Sequence, residues 1–222
     1  MNKKYFIKFL KYFYWELKIN FTKKKYKKIY FIEQLTDKYS EKINNYSSGS
    51  CSLDLGCGIK AKNPFNANHL FGVDIRNDLQ NNIKEANLAN ESIPFPNNKF
   101  DYCTAFNFLE HIPRLSWDNG KSRSSFIELM NEIYRVLKPG GIFLHVTPAF
   151  PSPEAFQDPT HVNIITENTF PCYFCNPNPD AKNLGYGFTG DFELIDQRWL
   201  HNTWIVGLLK ANKISQKDKN SL

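Results

Sequence analysis

No uninterrupted apolar run in this chain approaches the twenty or so residues that a membrane-spanning helix requires. The N-terminus begins with charge but has no apolar stretch followed by a small-residue cleavage site, so it reads as neither a signal peptide nor an anchor. Cysteine is sparse and odd in number: Cys51, Cys57, Cys103, Cys172 and Cys175. Such a set makes no disulfide scaffold, and reduced thiols in a cytoplasmic protein are expected. Cys172-x-x-Cys175 has no second pair beside it, so no zinc site is expected there. Internal repeats are absent. Basic excess is missing from most of the chain as well. The formal charge is +6, yet residues 1–46 hold twelve lysines against four acids, and the rest holds sixteen basic against eighteen acidic residues. A near-neutral body does not suit a partner tracked by its phosphates, and no nucleic acid is expected.

What is present suits one α/β domain with appendages: 222 residues, 41% hydrophobic and 15% aromatic. Residues 1–46 read as a basic amphipathic arm. Lys4, Lys8, Lys11 and Lys18 share one helical stripe, and Phe6, Phe9, Phe13 and Leu17 lie on other faces. Such an arm either packs on the body or lies against an anionic membrane face as a peripheral contact. Residues 44–50 form a hinge. The catalytic body is expected over 47–210, with a substrate-side lid at 148–190 and a frayed tail at 211–222.

Within the body the periodicity predicts strands at Cys51–Leu55, His69–Ile75, Lys84–Leu88, Asp101–Phe106 and Ile142–Thr147. A helix is predicted over Ser125–Leu137, with Ser125 and Glu128 as a capping box and Pro139-Gly140-Gly141 as its stop. Phe192–Leu200 and Thr203–Leu209 read as a closing hairpin turned at His201-Asn202. The fold class is therefore α/β.

The densest chemistry lies in Leu53-Asp54-Leu55-Gly56-Cys57-Gly58. Glycines after a buried strand let a ligand approach the backbone. A carboxylate at that edge repels a pyrophosphate and suits a ligand that carries an ammonium group. Asp74 ends the next strand, where its carboxylate can accept from two ribose hydroxyls. Ala86-Asn87-Leu88-Ala89, the run Ile93 to Asp101, Leu109-Glu110-His111-Ile112 and Arg135 to Gly141 follow in order.

In the order and spacing of these landmarks, over about residues 50–147, the chain resembles the class I S-adenosylmethionine (SAM)-dependent methyltransferases, in their type 11-like branch. The resemblance implies a Rossmann-like, seven-stranded mixed sheet with a reversed antiparallel last hairpin and helices on both faces. It implies SAM as cofactor, with Asp54, Gly56, Cys57 and Gly58 at the methionine part, Asp74 and Ile75 at the ribose, Asn87 and Leu88 at the adenine, and Phe106 and Asn107 near the methyl. Asn87 stands where many relatives carry Asp. An E-x-x-E-H run holds a metal in some quinone-type relatives. Here Asn107 replaces the first acid, so no metal is expected, and Glu110 with His111 reads as structural or as pocket lining, with His111 a lesser catalytic candidate.

The Asp158-Pro159-Thr160-His161-Val162-Asn163 run resembles a subgroup met among surface-saccharide enzymes. His161, with Asp158, is thus the first choice of general base for a hydroxyl or amine on a saccharide or surface-polysaccharide precursor. Alternatives are a quinone, a lipid or a small metabolite as acceptor, a non-catalytic SAM-binding protein, or an NAD-dependent oxidoreductase. The absence of an Asn/Asp-Pro-Pro-Tyr/Phe tetrapeptide after the fourth strand speaks against methylation of base amines.

Overall fold

The computed structural model describes residues 6, 7, 10, 14, 26–37, 49–118 and 120–213. In chain order the strands are β1 (Lys28–Ile29), β2 (Cys51–Leu55), β3 (His69–Asp74), β4 (Ile83–Glu85), β5 (Phe100–Phe106), β6 (Ser116–Asp118), β7 (Lys121–Arg123), β8 (Leu137–Phe150), β9 (Ile165–Thr166), β10 (Phe192–Leu200) and β11 (Trp204–Ala211). The helices are α1 (Ser125–Val136), α2 (Glu154–Gln157), α3 (Thr169–Tyr173) and α4 (Asp180–Asn183).

The main sheet runs β1-β10-β11-β8-β5-β2-β3-β4. Strands β8, β5, β2, β3 and β4 are mutually parallel, and β11 lies antiparallel between β8 and β10. This is the seven-stranded arrangement with a reversed hairpin, extended at its edges. β1 adds a two-residue parallel strand on β10, and β9 adds one on the end of β8. The chain leaves β2 toward β3 on one side, and β5 lies on the other. Ligands of open α/β sheets bind at that kind of switch point, above the carboxyl ends of the strands.

The two faces of the sheet are covered differently. Helix α1 buries Phe126, Leu129, Met130, Ile133 and Val136 on one face, at the i, i+3, i+4, i+7 spacing of an amphipathic helix. Each such side chain contributes roughly 1.5–3 kcal/mol on leaving water. On the other face, among the described residues, no long helix stands between β2 and β3. The loop 59–68 covers it instead. Asn63 brackets Ala67 by accepting its N–H and donating to its carbonyl, both at 2.9 Å, and Phe65 stacks on Tyr102 with ring centroids 4.4 Å apart. Ile29 and Leu35 complete that second cluster. Residues 26–36 therefore belong to the packed body. The described arm residues Phe6, Ile7, Leu10 and Tyr14 are exposed. The lysine stripe at Lys4, Lys8, Lys11 and Lys18 lies outside the described residues.

The capping box does not form. The cap of α1 is Ser124, without a side-chain bond, Ser125 Oγ pairs with Ser116 Oγ at 2.7 Å, and Glu128 pairs with the Arg123 guanidinium. A neighbouring cation outcompetes the backbone amide for Glu128. At its other end the helix stops at Val136, before Pro139. The hairpin turn at His201 and Asn202 uses left-handed backbone, with φ of 52° and 62°. The packed body extends to Lys213, whose ammonium reaches the carbonyls of Arg135 and Leu137. Burial pushes that amine down to about 8.

Arg135 ties α1 to the loop before β5. It donates to the carbonyls of Ile93 and Phe95, both at 2.8 Å, to Asn97 Oδ1 at 2.9 Å and to Glu132 at 2.7 Å. Arg135→Ala strands two carbonyls and a carboxylate. The expected loss is about 2 kcal/mol in urea unfolding, because unmade bonds to half-buried groups cost more than the bonds themselves contribute. Recovery to the parental value by Arg135→Lys would contradict this account, since an ammonium cannot span the same fork.

Candidate active site

The cofactor-side residues converge above β2, β3 and β5. Strand β2 delivers Asp54 almost fully buried, where its Oδ1 accepts from Thr104 Oγ1 at 2.7 Å and its Oδ2 from the Lys62 amide at 2.8 Å. Burial pushes Asp54 up to about 6, against the lowering effect of those two bonds. The carboxylate is therefore ionised at neutral pH with little margin. Two donors leave part of its four-site accepting capacity free for a cation.

The chain then turns sharply. Gly56 has φ of 61° and Gly58 of 64°, while the Gly56 and Cys57 amides donate to the Val73 carbonyl at 2.8 and 3.2 Å. A Cβ on Gly56 would lie 2.2 Å from Phe108 Cδ2. The bare backbone is thus required by a side chain as well as by the turn. Gly58 donates to Asp74 Oδ2 at 2.9 Å, which closes the loop over β3. Asp74 Oδ1 accepts from Arg76 Nε at 2.8 Å. Burial works to raise Asp74, but the Arg76 bond and the Gly58 amide outweigh it and hold the carboxyl below its ordinary value.

Ile75 is 68% exposed beside Asp74. Asn87 accepts from the Ala89 amide at 3.2 Å through Oδ1, which leaves its NH₂ group to donate, and Leu88 beneath it is buried. Asn107, with φ of 49°, follows the end of β5, and Phe106 lies under the Lys62 ammonium at 4.4 Å. The structure thus brings Asp54, Gly56, Cys57, Gly58, Asp74, Ile75, Phe106 and Asn107 to one sheet edge. Asn87 and Leu88 follow β4 at its rim. Sequence reasoning missed four supporting residues: Lys62, Thr104, Arg76 and Phe108. Thr104 had a legible signal, a polar residue inside an otherwise apolar strand.

A second constellation lies beside this edge. His161 Nε2 is 4.0 Å from Glu110 Oε1 and 3.9 Å from Asp158 Oδ2, and the His111 and His161 rings are 4.9 Å apart. Thr160 Oγ1 lies 3.0 Å from His111 Nδ1 and donates to Asp158 Oδ1 at 2.6 Å. The Thr160 hydroxyl and amide hold Asp158 below its ordinary pKa. Glu110 is 1% exposed, neither of its carboxylate oxygens has a hydrogen-bond partner, and burial pushes it up to about 7. His161 Nδ1 is likewise buried without a partner. The expected residues Asp158, His161 and His111 do meet. Glu110, expected as structural or as pocket lining, is the most deeply buried member of the group and the one whose carboxylate accepts no hydrogen bond.

Next to the constellation is a cavity of about 380 Å³ lined by Leu115, Phe126, Ile127, Tyr173, Phe174 and Tyr186, with Arg114 at its polar side. Arg114 donates from Nε to Asn163 Oδ1 at 2.9 Å, and the Asn163 amide donates to the Glu110 carbonyl at 2.9 Å. The cavity and the His161 loop are therefore mechanically joined. Cys175 is buried behind Phe174 and its thiol is pushed up to about 12 by burial. All five cysteines are free.

The comparisons with known proteins agree with this geometry. A family model described as "Methyltransferase domain" matches residues 25–177. The chain belongs to this methyltransferase family. Its cofactor is S-adenosylmethionine, and the glycine turn between two acids fits a ligand with an ammonium group and ribose hydroxyls. Two curated relatives are a demethylmenaquinone methyltransferase of Listeria welshimeri, 29% identical over 47% of this chain and 47% of its own length, and a ubiquinone/menaquinone biosynthesis C-methyltransferase of Rickettsia prowazekii, 31% identical over 51% and 46%. The methyltransferase chain spans about half the length of the curated relatives it matches. Among solved structures it is similar to the PH0226 protein of Pyrococcus horikoshii, with a TM-score of 0.52 and 15% identity over 82% of this chain and 89% of that one. It is also similar to the [4+2]-cyclase SpnF, with a TM-score of 0.50 and 16% identity over 82% and 81%. The likeness to a cyclase illustrates that this scaffold fixes the fold and not the acceptor. Among the described residues no helix is long and apolar enough to cross a membrane.

Proposed function

We propose that this methyltransferase moves the methyl group of S-adenosylmethionine onto a hydroxylated aromatic ring of the quinol class. The observation that carries this reading is the aromatic cavity tied through Arg114 and Asn163 to the Glu110–His161 group. Phe126, Tyr173 and Tyr186 offer ring faces for stacking on a planar acceptor. The names of the two curated relatives point to the same acceptor class. A saccharide, expected from the Asp158–Asn163 run, could bond to Arg114, Ser124 and Thr169 in this lining, but the ring faces of Phe126, Phe174 and the two tyrosines suit a planar aromatic acceptor better.

In this reading Asp54 holds the ammonium of the cofactor, and Asp74 exchanges its Arg76 contact for ribose hydroxyls. Asn87 donates to the adenine, while Ile75 and Leu88 supply its apolar bed. When bound, the cofactor supplies a methyl group already activated on a sulfonium. The protein has to align the acceptor with the S–CH₃ bond and keep water out, which can lower the barrier by ~7–11 kcal/mol. The His161–Asp158 pair would take the proton of a ring hydroxyl. A ring carbon would bond to the methyl as the S–CH₃ bond breaks to leave S-adenosylhomocysteine, and the hydrogen displaced from that ring carbon would pass to the ring oxygen as the hydroxyl is restored. The basic arm, with twelve lysines in residues 1–46, would hold the body against an anionic surface carrying a lipid-borne ring.

The test is product analysis by mass spectrometry. The full chain with methyl-labelled S-adenosylmethionine is offered reduced naphthoquinols and benzoquinols beside a panel of sugar nucleotides. Label is expected in a quinol. Label confined to a sugar nucleotide overturns the proposal and restores the saccharide reading.

A further inference from the structure

We propose that Glu110, His111 and His161 form a binding site for one divalent transition-metal ion. One ligand atom from each of the three lies within 4.8 Å of the other two. Ligands on one ion bonded at ~2.0–2.2 Å stand roughly 3–3.5 Å apart, so closing the triangle takes side-chain movement of little more than an ångström.

Three independent features point to a cation. The first is the Glu110 carboxylate, 1% exposed and without a single donor. Burying an unpartnered acid costs several kcal/mol, and a cation removes that cost. The second is orientation. His161 directs Nε2 between Glu110 Oε1 and Asp158 Oδ2, at 4.0 and 3.9 Å. The third is the support behind His111. Thr160 Oγ1 lies 3.0 Å from its Nδ1 and is itself bonded to Asp158. A carboxylate-anchored group on one ring nitrogen fixes the other nitrogen for ligation, as in built metal sites.

Two imidazoles and one carboxylate favour a first-row transition metal or zinc over magnesium or calcium, which prefer all-oxygen sets. The sequence argued against metal because Asn107 replaces an acid before Glu110. The fold supplies the third donor from elsewhere, through the loop carrying His161. With three protein ligands the ion keeps positions open. Resting on the quinol reading, one of these takes the ring oxygen as an anion, with the cavity holding the ring. His161 then acts as a ligand and not as a lone base.

The test uses tag-free full chain titrated with Co²⁺ and, by calorimetry, with Zn²⁺. One equivalent is expected, with cobalt ligand-field bands and no thiolate charge-transfer absorption. Glu110→Gln and His161→Gln should each weaken binding at least ~10-fold, and Cys172→Ser should leave it unchanged. His161 is partly exposed, so its variant keeps the test valid if Glu110→Gln fails to fold. No stoichiometric binding, binding indifferent to His161→Gln, or binding lost in Cys172→Ser overturns the site. If the ion binds as described but chelation leaves quinol methylation unchanged, the metal site stands and its role toward the ring oxygen falls. If label never enters a quinol yet the variants still abolish cobalt binding, the acceptor reading alone fails.

Discussion

Asp54→Asn is expected to weaken S-adenosylmethionine binding roughly 100-fold while leaving the empty protein at least as stable at pH 8. The substitution removes one charge and little shape. The new amide oxygen still accepts from the Lys62 amide. The new NH₂ faces Thr104 Oγ1, whose hydrogen turns to the Leu53 carbonyl, now 3.4 Å away. What disappears is the attraction for the ligand's ammonium; a charge-assisted bond lost from a buried site costs ~1.5–3 kcal/mol.

The stability sign follows from burial. The folded pKa of about 6 lies above the ordinary value of 3.8, so the folded state favours the protonated acid. Stability is then highest below the unfolded value and falls as pH rises from about 4 to about 6, by roughly 3 kcal/mol at 1.36 kcal/mol per unit. The Asp54→Asn variant would escape that loss. The same titration governs the ligand: affinity of the parent protein should drop up to ~10-fold for each pH unit below about 6, while the variant's affinity stays flat. Calorimetric titration at pH 5, 6, 7 and 8 reads both. Parental affinity in Asp54→Asn, or a variant that retains the pH slope, would remove Asp54 from the cofactor site.

Much of the sheet was legible because its strands are buried on both faces. β2 and β5 read as short apolar runs flanked by turn residues, and the hairpin β10–β11 was marked by His201-Asn202 between two apolar segments. β1 was not legible, since two residues create no period and its strand exists only because β10 offers an open edge. The lid region 148–190 showed no period for a similar reason. Its helices α2, α3 and α4 span four or five residues each, too few to repeat.

The cofactor edge was legible as far as it is local. Asp54, Gly56, Gly58 and Asp74 sit at strand ends whose position follows from the strands themselves. Their restraints were not. Phe108 under Gly56 and Thr104 against Asp54 arrive from a different strand-turn unit, and only the parallel pairing of β2 with β5 sets their distance. The same holds for Glu110 and His161. Their separation in sequence hides the 4.0 Å contact, and the absence of any donor to Glu110 is a property of packing that no motif announces.

Gly56→Ala and Gly58→Ala should differ sharply, although the two backbones are nearly alike. Both residues have left-handed φ, 61° and 64°. For alanine that conformation costs ~1–2 kcal/mol by itself. At Gly58 little is added, because the new Cβ meets only Arg76 Nη2, at 3.9 Å, and an exposed guanidinium can move. At Gly56 the Cβ would lie 2.2 and 2.5 Å from Phe108 ring carbons and 3.0 Å from its Cβ. Phe108 packs against the main core and sits in the turn that leads to Glu110, so it cannot swing aside without cost. Overpacking of this kind adds typically 1–3 kcal/mol. Gly56→Ala is therefore expected to lose about 3–4 kcal/mol in urea unfolding and most of its cofactor affinity, and Gly58→Ala about 1–2 kcal/mol. The double variant Gly56→Ala with Phe108→Ala separates the two causes: removing the ring should recover the overpacking part of the loss, beyond what Phe108→Ala alone costs, and leave the φ cost. Equal losses at the two glycines, or no coupling with Phe108, would mean that the turn tolerates a side chain and that the Phe108 ring is not what keeps Gly56 bare.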